Sequence, residues 1–142
     1  MTPVYQWLSP QQAPLAGRFY ASEGDKSSVR RDERIAVARL EGRIVAALRL
    51  SPREGHTLLR ALRVAQSHRG QGLARGLLRF ALTDSNAPIW CFALADLTPF
   101  YLTLGFIERS TAPAAILGPF QAYAQRQPLR LMCFAATEGS AN

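Results

Sequence analysis

The sequence predicts a single domain of the α/β (α+β) class. Two apolar, β-branched segments meet at a glycine turn within residues 34–51, and a strand-helix-strand order follows over residues 57–95. A last apolar segment, residues 129–135, completes the pattern. The chain has 142 residues, the size of one ordinary domain, and it shows no internal repeat or linker. We therefore expect one domain over residues 1–142.

The N-terminal half predicts a short helix and three strands. Residues 10–29 hold a short apolar stripe followed by a polar loop rich in Gly and Ser. Strands are expected at residues 34–40 and 43–51, with a tight hairpin at Glu41-Gly42 between them. A third strand is expected at residues 57–65, after the turn SPREGH.

The C-terminal half begins with a helical repeat of apolar residues over 73–84. The run IWCFALA, residues 89–95, is apolar throughout, which is typical of a strand in parallel pairing. With the strand before the helix it forms a β-α-β unit. The stretch TPFYLTLGF predicts a second short helix that Gly105 ends, and residues 129–135 predict the final strand.

Composition narrows the class of protein. Hydrophobic residues make up 48% of the chain and charged ones 19%, which is typical of soluble globular proteins. No apolar run approaches 18 residues, and the first twelve residues lack the basic and apolar regions of a secretory signal. We therefore expect a cytoplasmic protein without a membrane partner. Cys91 and Cys133 lie in apolar strands without metal-ligand spacing, so we expect buried thiols and no metal site.

The net charge of +7 comes almost entirely from arginine, since Lys26 is the only lysine. Such a balance suits an anionic partner, either nucleic acid or a phosphorylated cofactor. The arginines are spread through the chain and form no basic stripe with stacking aromatics, so no nucleic acid is expected. A nucleic-acid-binding module stays open as a third hypothesis.

Gly70 and Gly72 come directly before the helix predicted at 73–84. A helix amino terminus carries unpaired N–H groups and the positive end of the macrodipole, so this junction predicts a phosphate site. The alternative is a tight turn that needs glycine only for its torsions. Two other loops are excluded: Arg75 replaces the third glycine of a dinucleotide fingerprint, and a P-loop lysine is missing.

The segment Arg69-Gly70-Gln71-Gly72-Leu73-Ala74 resembles R-x-x-G-x-A, the acyl-coenzyme A pyrophosphate motif of the GNAT superfamily of N-acetyltransferases. PFYLTLGF is similar to the family's late F-Y-x-x-x-G-F helix, and Leu62-Arg63-Val64 stands at the end of its fourth strand. The resemblance is strong over residues 34–110. It implies a mixed, mostly antiparallel sheet of six to seven strands with splayed fourth and fifth strands, flanked by about four helices.

The resemblance also implies the donor and its site. Acetyl-CoA would be the acyl donor, with no metal. Pantetheine would pair with the strand end, and the Val64 N–H would face the thioester carbonyl as an oxyanion donor. The implied cofactor-binding residues are Leu62, Arg63, Val64, Arg69, Gly70, Gln71, Gly72, Leu73 and Ala74.

Tyr101 matches the position of the family's general acid, four residues before Gly105. Its phenol would protonate the departing thiolate. The alternative is an aromatic side chain packed in the core beside Phe100 and Phe106.

The general base is where this sequence departs from the family. Many relatives carry Glu on the fourth strand, but here Arg60 stands in that stretch and cannot accept a proton at neutral pH. The candidates for the base are a water molecule held by the backbone and the side chains of Glu54, His56 and Asp96. His56 is alternatively a surface histidine, and Asp96 a helix cap.

The acceptor is expected between residues 19–33 and 107–127. The acidic side chains of the first segment either recognise a cationic amine or are simply solvated; they are Glu23, Asp25, Asp32 and Glu33. Phe120 and Tyr123 in the second segment would line an acceptor site or contact a second copy in a homodimer. The implied function is N-acetyl transfer from acetyl-CoA to a primary amine, and the alternative is an acetyl-CoA-binding regulator of the same fold with little or no catalysis.

Overall fold

The computed structural model describes residues 2–83 and 85–135. Its strands are β1 (Val4–Trp7), β2 (Arg34–Leu40), β3 (Arg43–Arg53), β4 (His56–Val64), β5 (Ile89–Leu94), β6 (Phe106–Glu108) and β7 (Leu129–Phe134). Its α-helices are α1 (Ala13–Ser22), α2 (Leu73–Thr83), α3 (Thr98–Thr103) and α4 (Ala114–Ala124). The strands form one sheet in the order β1-β2-β3-β4-β5-β7-β6, with β4 and β5 parallel. The predicted α/β class and the mixed, mostly antiparallel sheet are confirmed.

The chain divides into two compact units. The first comprises Met1–Ser51 and Ala61–Asp84, and the second comprises Pro52–Arg60 and Ser85–Asn142. Strand β4 contributes to both, because the division falls between Arg60 and Ala61. The expected single domain over residues 1–142 stays a prediction. In the described part of the chain no helix is long and apolar enough to cross a membrane.

In the first unit, β2 pairs antiparallel with both β1 and β3. The hairpin between β2 and β3 turns at Glu41 and Gly42, whose φ values of 51° and 80° are those of the predicted tight turn. Helix α1 directly follows a short 3-10 helix, Pro10–Gln12. One core cluster of this unit is formed by Ala16, Phe19, Tyr20, Ile35, Val37, Ala47 and Ala65.

Helix α2 buries one apolar face, as its spacing predicts; the buried residues are Leu73, Leu77, Leu78, Ala81 and Leu82. Gly76 lets this helix approach β1 closely. A Cβ at Gly76 would lie 2.0 Å from the Tyr5 hydroxyl oxygen, so any larger residue would displace the tyrosine. This contact, together with the Tyr5–Phe80 ring stacking at 6.0 Å, fixes α2 against the sheet of the first unit.

In the second unit, the first half of β4 runs parallel to β5, with Thr57 opposite Ile89 and Leu59 opposite Cys91. This pairing confirms the predicted β-α-β unit. Strand β7 pairs antiparallel with β5 and with β6. One core cluster here is formed by Leu58, Trp90, Ile116, Leu131 and Cys133.

The amino-acid pattern did not predict β1, β6 or α4. The two strands are only four and three residues long, too short for a periodic signal. Helix α4 contains Gly118 and Pro119, which normally favour a loop. Its buried Ile116 belongs to the core of the second unit, so tertiary packing stabilises a helix that local propensity disfavours.

Candidate functional site

The glycine junction stands at the amino terminus of α2, as the spacing predicts. Gly70 and Gly72 have φ values of 80° and 81°, a region that favours glycine. Both are exposed, and no atom lies within 4 Å of a Cβ built on either of them. The turn therefore needs glycine for its torsions, and the space in front of the α2 amino terminus is open. The positive φ angles that a tight turn requires are present, and the same geometry leaves room for an anion, so the phosphate site stays a prediction.

Arg69 connects this turn to the end of β4. Its Nε donates a hydrogen bond to the Val64 carbonyl oxygen at 3.3 Å, and its side chain is otherwise exposed. A short 3-10 helix, Gln66–His68, joins the two elements, and the His68 backbone N–H bonds to the Ala65 carbonyl at 2.8 Å. The first unit thus brings together all nine expected cofactor-binding residues, from Leu62 to Ala74.

The end of β4 is anchored by the carboxyl end of α1. The Arg63 guanidinium donates to the Glu23 carbonyl at 2.5 Å, and the Gln66 N–H donates to the Glu23 carboxylate at 3.0 Å. Ala65 N–H bonds to the Val45 carbonyl of β3 at 2.8 Å. Leu62, Arg63 and Val64 are only half-buried, so this strand end keeps some exposed surface.

The sequence does not predict a buried ionic network that surrounds Arg49 of β3. Arg49 and Glu33 lie 3.7 Å apart, and both side chains are fully buried. Arg49 also donates to the Ser28 carbonyl and the Ser27 hydroxyl, each at 3.1 Å, while Ser51 donates to the Glu33 carboxylate. One signal was available: Arg49 is a lone charge in the apolar middle of a strand, where a buried charge requires a partner.

Tyr20 joins this network to β4. The Arg49 guanidinium carbon lies 4.4 Å from the centroid of the Tyr20 ring, within the range of a cation–π contact. The Tyr20 hydroxyl donates to the Ala61 carbonyl at 2.8 Å. Burial raises the pKa of the Tyr20 phenol, and nearby Arg49 opposes the rise. The phenol therefore stays protonated and keeps its donor.

Tyr101 lies on α3 in the second unit and is 7% exposed. Its ring meets Phe100 and Phe106 edge to face, with centroids 5.1 and 5.4 Å away. Its hydroxyl forms a hydrogen bond with the Cys91 thiol of β5. Burial raises the pKa of Tyr101, and Cys91 raises it further, so the phenol is neutral at physiological pH. The expected core contacts are present, and the acid role stays a prediction.

Cys91 is a buried free thiol, as expected. Burial raises its pKa to about 12, against the opposing hydrogen bond from Tyr101. Cys133 is also buried and free, and its pKa is likewise raised by burial. Both thiols are therefore in the protonated, unreactive form near neutral pH.

The candidate bases occupy different kinds of position. Glu54 has a φ of 49° and forms, with Gly55, the exposed turn between β3 and β4. His56 is the half-buried first residue of β4. Asp96 is exposed in a 3-10 helix, and α3 begins after Leu97 without a side-chain cap, so Asp96 does not cap that helix. No described carboxylate lies on β4 itself.

The four acidic residues near the expected acceptor have different surroundings. Glu33 is buried against Arg49 and Ser51, so for this residue the solvated interpretation is wrong, whereas amine recognition stays a prediction. Asp25 accepts two hydrogen bonds from Ser27, which lower its pKa. Glu23 accepts from the Gln66 N–H, whereas Asp32 is exposed beside Arg30. A groove of about 990 Å³ lies next to Asp32, between residues 7–17 and 28–35.

A family model described as an acetyltransferase (GNAT) domain matches residues 31–108, more than half of the chain. The chain belongs to the GNAT acetyltransferase family. The match includes the Gly70-Gly72 junction, all of β4 and Tyr101. A comparison with curated protein sequences found no significant match.

Solved structures agree with the GNAT fold. An acyl-CoA N-acyltransferase from Pseudomonas aeruginosa matches with a TM-score of 0.63 and 18% identity over 94% of this chain and 100% of its own. A Mycobacterium tuberculosis protein in complex with coenzyme A matches with a TM-score of 0.67 and 14% identity, over 93% and 98% of the chains. The third structure is N-acetylglutamate synthase from Neisseria gonorrhoeae, complexed with coenzyme A and N-acetyl-glutamate. It matches with a TM-score of 0.67 and 10% identity over 96% of this chain. This chain spans only 35% of that synthase.

The residues at the glycine junction fit a phosphate group. The turn is exposed and free of atoms where a Cβ would lie, and it faces the amino terminus of an 11-residue helix. The charged Arg69 stands beside it. Backbone N–H groups of a first helical turn together with a guanidinium are the donors that a pyrophosphate needs.

Proposed function

We propose that this GNAT protein is an acetyl-CoA-dependent N-acetyltransferase that acts on a primary amine of a small-molecule or protein acceptor. The open glycine junction at the α2 amino terminus, in a chain of this family, is the observation that carries the proposal. In the reaction the amine nitrogen bonds to the acetyl carbon and the carbon–sulfur bond breaks. One proton leaves the nitrogen and one reaches the thiolate, so that an amide and free coenzyme A result.

The donor would be held by the first unit. The backbone N–H groups of residues 70–74 and the Arg69 side chain would bind the pyrophosphate. The half-buried end of β4 would pair with the pantetheine arm, in the manner of an added strand. The Val64 N–H would donate to the thioester oxygen as negative charge develops there. The Arg69–Val64 hydrogen bond supports this arrangement, since it ties the phosphate end to the reactive end.

Tyr101 would supply the proton for the departing thiolate. Its phenol stays neutral because burial raises its pKa, so the proton is available throughout the physiological range. In this structure the Tyr101 hydroxyl bonds to the Cys91 thiol. To donate its proton, the hydroxyl must leave Cys91 and bond to the coenzyme A thiolate instead.

The second candidate is an acetyl-CoA-binding regulator of the same fold. Two observations favour it: β4 carries no carboxylate in the position used by many relatives, and the Tyr101 hydroxyl is engaged with Cys91. Both candidates bind the donor, and only the first releases free thiol.

Thiol release over a panel of amines separates the two candidates. The full chain is incubated with acetyl-CoA and each amine in turn, and free coenzyme A is measured with a thiol reagent. A transferase gives amine-dependent release that saturates with at least one acceptor. Tight acetyl-CoA binding without release for any amine would support the regulator.

A further inference from the structure

Ala61 has a backbone conformation that its place in the chain does not explain. Three described residues other than glycine have a positive φ. Glu41 and Glu54 belong to the hairpin turns before β3 and β4, where such torsions are normal. Ala61, with a φ of 56°, lies inside strand β4. A side chain in this region is strained and persists only where its surroundings hold it.

The Ala61 carbonyl accepts a hydrogen bond from the Tyr20 hydroxyl at 2.8 Å, and the Ala61 side chain packs against the core of the first unit. Tyr20 is fully buried, and the hydrogen bond itself is partly buried because Ala61 is half-buried. The ring is held in turn by Arg49, whose guanidinium is fixed by Glu33 and by the loop at Ser27. The buried network therefore ends at Ala61, the only left-handed strand residue among those that the structure describes.

The position of Ala61 gives this contact a consequence for the donor site. Successive strand residues point to opposite faces, so a change of φ at residue 61 redirects the backbone of Leu62 and Val64 that follows it. We propose that Tyr20 is a positioning residue for coenzyme A binding: its hydrogen bond keeps Ala61 left-handed and so aims the end of β4 at the pantetheine arm. This inference rests on the proposed function of β4.

The test measures binding of coenzyme A itself by calorimetry, on the full chain, beside thermal unfolding of each variant. Tyr20→Phe keeps the ring and its cation–π contact with Arg49 but removes the hydroxyl that donates to Ala61 and also interacts with Arg49, and we expect an affinity about tenfold weaker. Glycine adopts a positive φ without strain, so Ala61→Gly alone is expected to bind within about twofold of the unaltered chain. The double variant Tyr20→Phe/Ala61→Gly is expected to recover most of the lost affinity. Tyr5→Phe, on β1, is the matched control and should bind normally.

The outcomes separate this inference from the proposed function. If the unaltered chain does not bind coenzyme A, both the proposed function and this inference are wrong. If the unaltered chain binds and Tyr20→Phe binds equally well, the inference alone is overturned. The inference alone is also overturned if Tyr20→Phe weakens binding and the double variant Tyr20→Phe/Ala61→Gly binds no better. Should Tyr20→Phe not fold, a folded double variant with normal affinity supports the inference, and an unfolded one overturns it.

Discussion

The two units bury polar groups in opposite ways. In the first unit, Arg49 and Glu33 are fully buried and meet several partners, and Tyr20 adds a hydrogen bond to the backbone. In the second unit, the buried hydroxyl of Tyr101 meets a thiol, and aromatic rings surround it. A charge-assisted network is costly to disturb, whereas a hydroxyl bonded to a weak thiol acceptor can change partner at little cost.

We propose that the polar core of the first unit positions β4, through the hydrogen bond from Tyr20 to Ala61, and that the Tyr101 phenol of the second unit supplies a proton. Variants in each unit test this division, and the largest effect is expected at Tyr101.

Tyr101→Phe should lower turnover by about 10²- to 10⁴-fold, because the variant keeps the ring contacts but lacks the proton donor. Steady-state thiol release, with an amine identified from the panel, measures the effect. Cys91→Ala is the control, since it removes the hydrogen-bond partner and leaves the phenol in place. Equal turnover in Tyr101→Phe and the unaltered chain would show that Tyr101 is only a core aromatic.

Arg49→Met should destabilise the chain by about 3–5 kcal/mol, because it leaves the buried Glu33 carboxylate without its cation. Urea unfolding measures the change, and Arg49→Met/Glu33→Gln should recover part of it. The matched control is Arg130→Met, which breaks an exposed pair with Glu108 and should cost about 0–1 kcal/mol. Similar costs for the two single variants would contradict the role given to the buried network.

Gly72→Ala should lower the free energy of unfolding by about 1–2 kcal/mol, because alanine is strained at a φ of 81°. Its Cβ would also enter the space proposed for the pyrophosphate, so we expect about tenfold weaker binding of coenzyme A. Gly17→Ala, inside α1 with no atom within 4 Å of the new Cβ, should stabilise the chain by about 0.5–1 kcal/mol and bind normally. Normal binding by Gly72→Ala would remove this glycine from the phosphate site.

Alkaline pH should reduce stability through Cys91. Its folded pKa is about 12 and its ordinary value 9.0, so only the unfolded chain ionises between these values. The stability that the buried neutral thiol contributes is fully present below pH 9. It is lost as pH rises toward 12, by at most about 1.4 kcal/mol per pH unit. Urea unfolding at pH 8 and pH 10 should show a smaller loss for Cys91→Ala than for the unaltered chain. An identical loss in both would mean that Cys91 does not carry the effect.

Much of the fold followed from local patterns. The hairpin at Glu41-Gly42 and the amphipathic helix α2 are encoded by turn chemistry and by apolar spacing, which act within a few residues. Helix α4 was not predictable in this way, because Gly118 and Pro119 oppose it and only its tertiary packing compensates.

The site was predictable to a similar degree. Gly70, Gly72 and Arg69 form a contiguous motif, and the structure brings them together at the start of α2. The contact from Tyr20 to Ala61 joins residues 41 positions apart, so no local pattern contains it. The left-handed Ala61 could not be predicted either, because alanine gives no sign of a positive φ.

Calorimetric titration of the unaltered chain with acetyl-CoA tests the central claim most directly. The claim predicts saturable binding at one site per chain. Absence of binding, together with salt-sensitive binding of DNA or RNA, would contradict it and would favour the nucleic-acid module that the net charge of +7 left open.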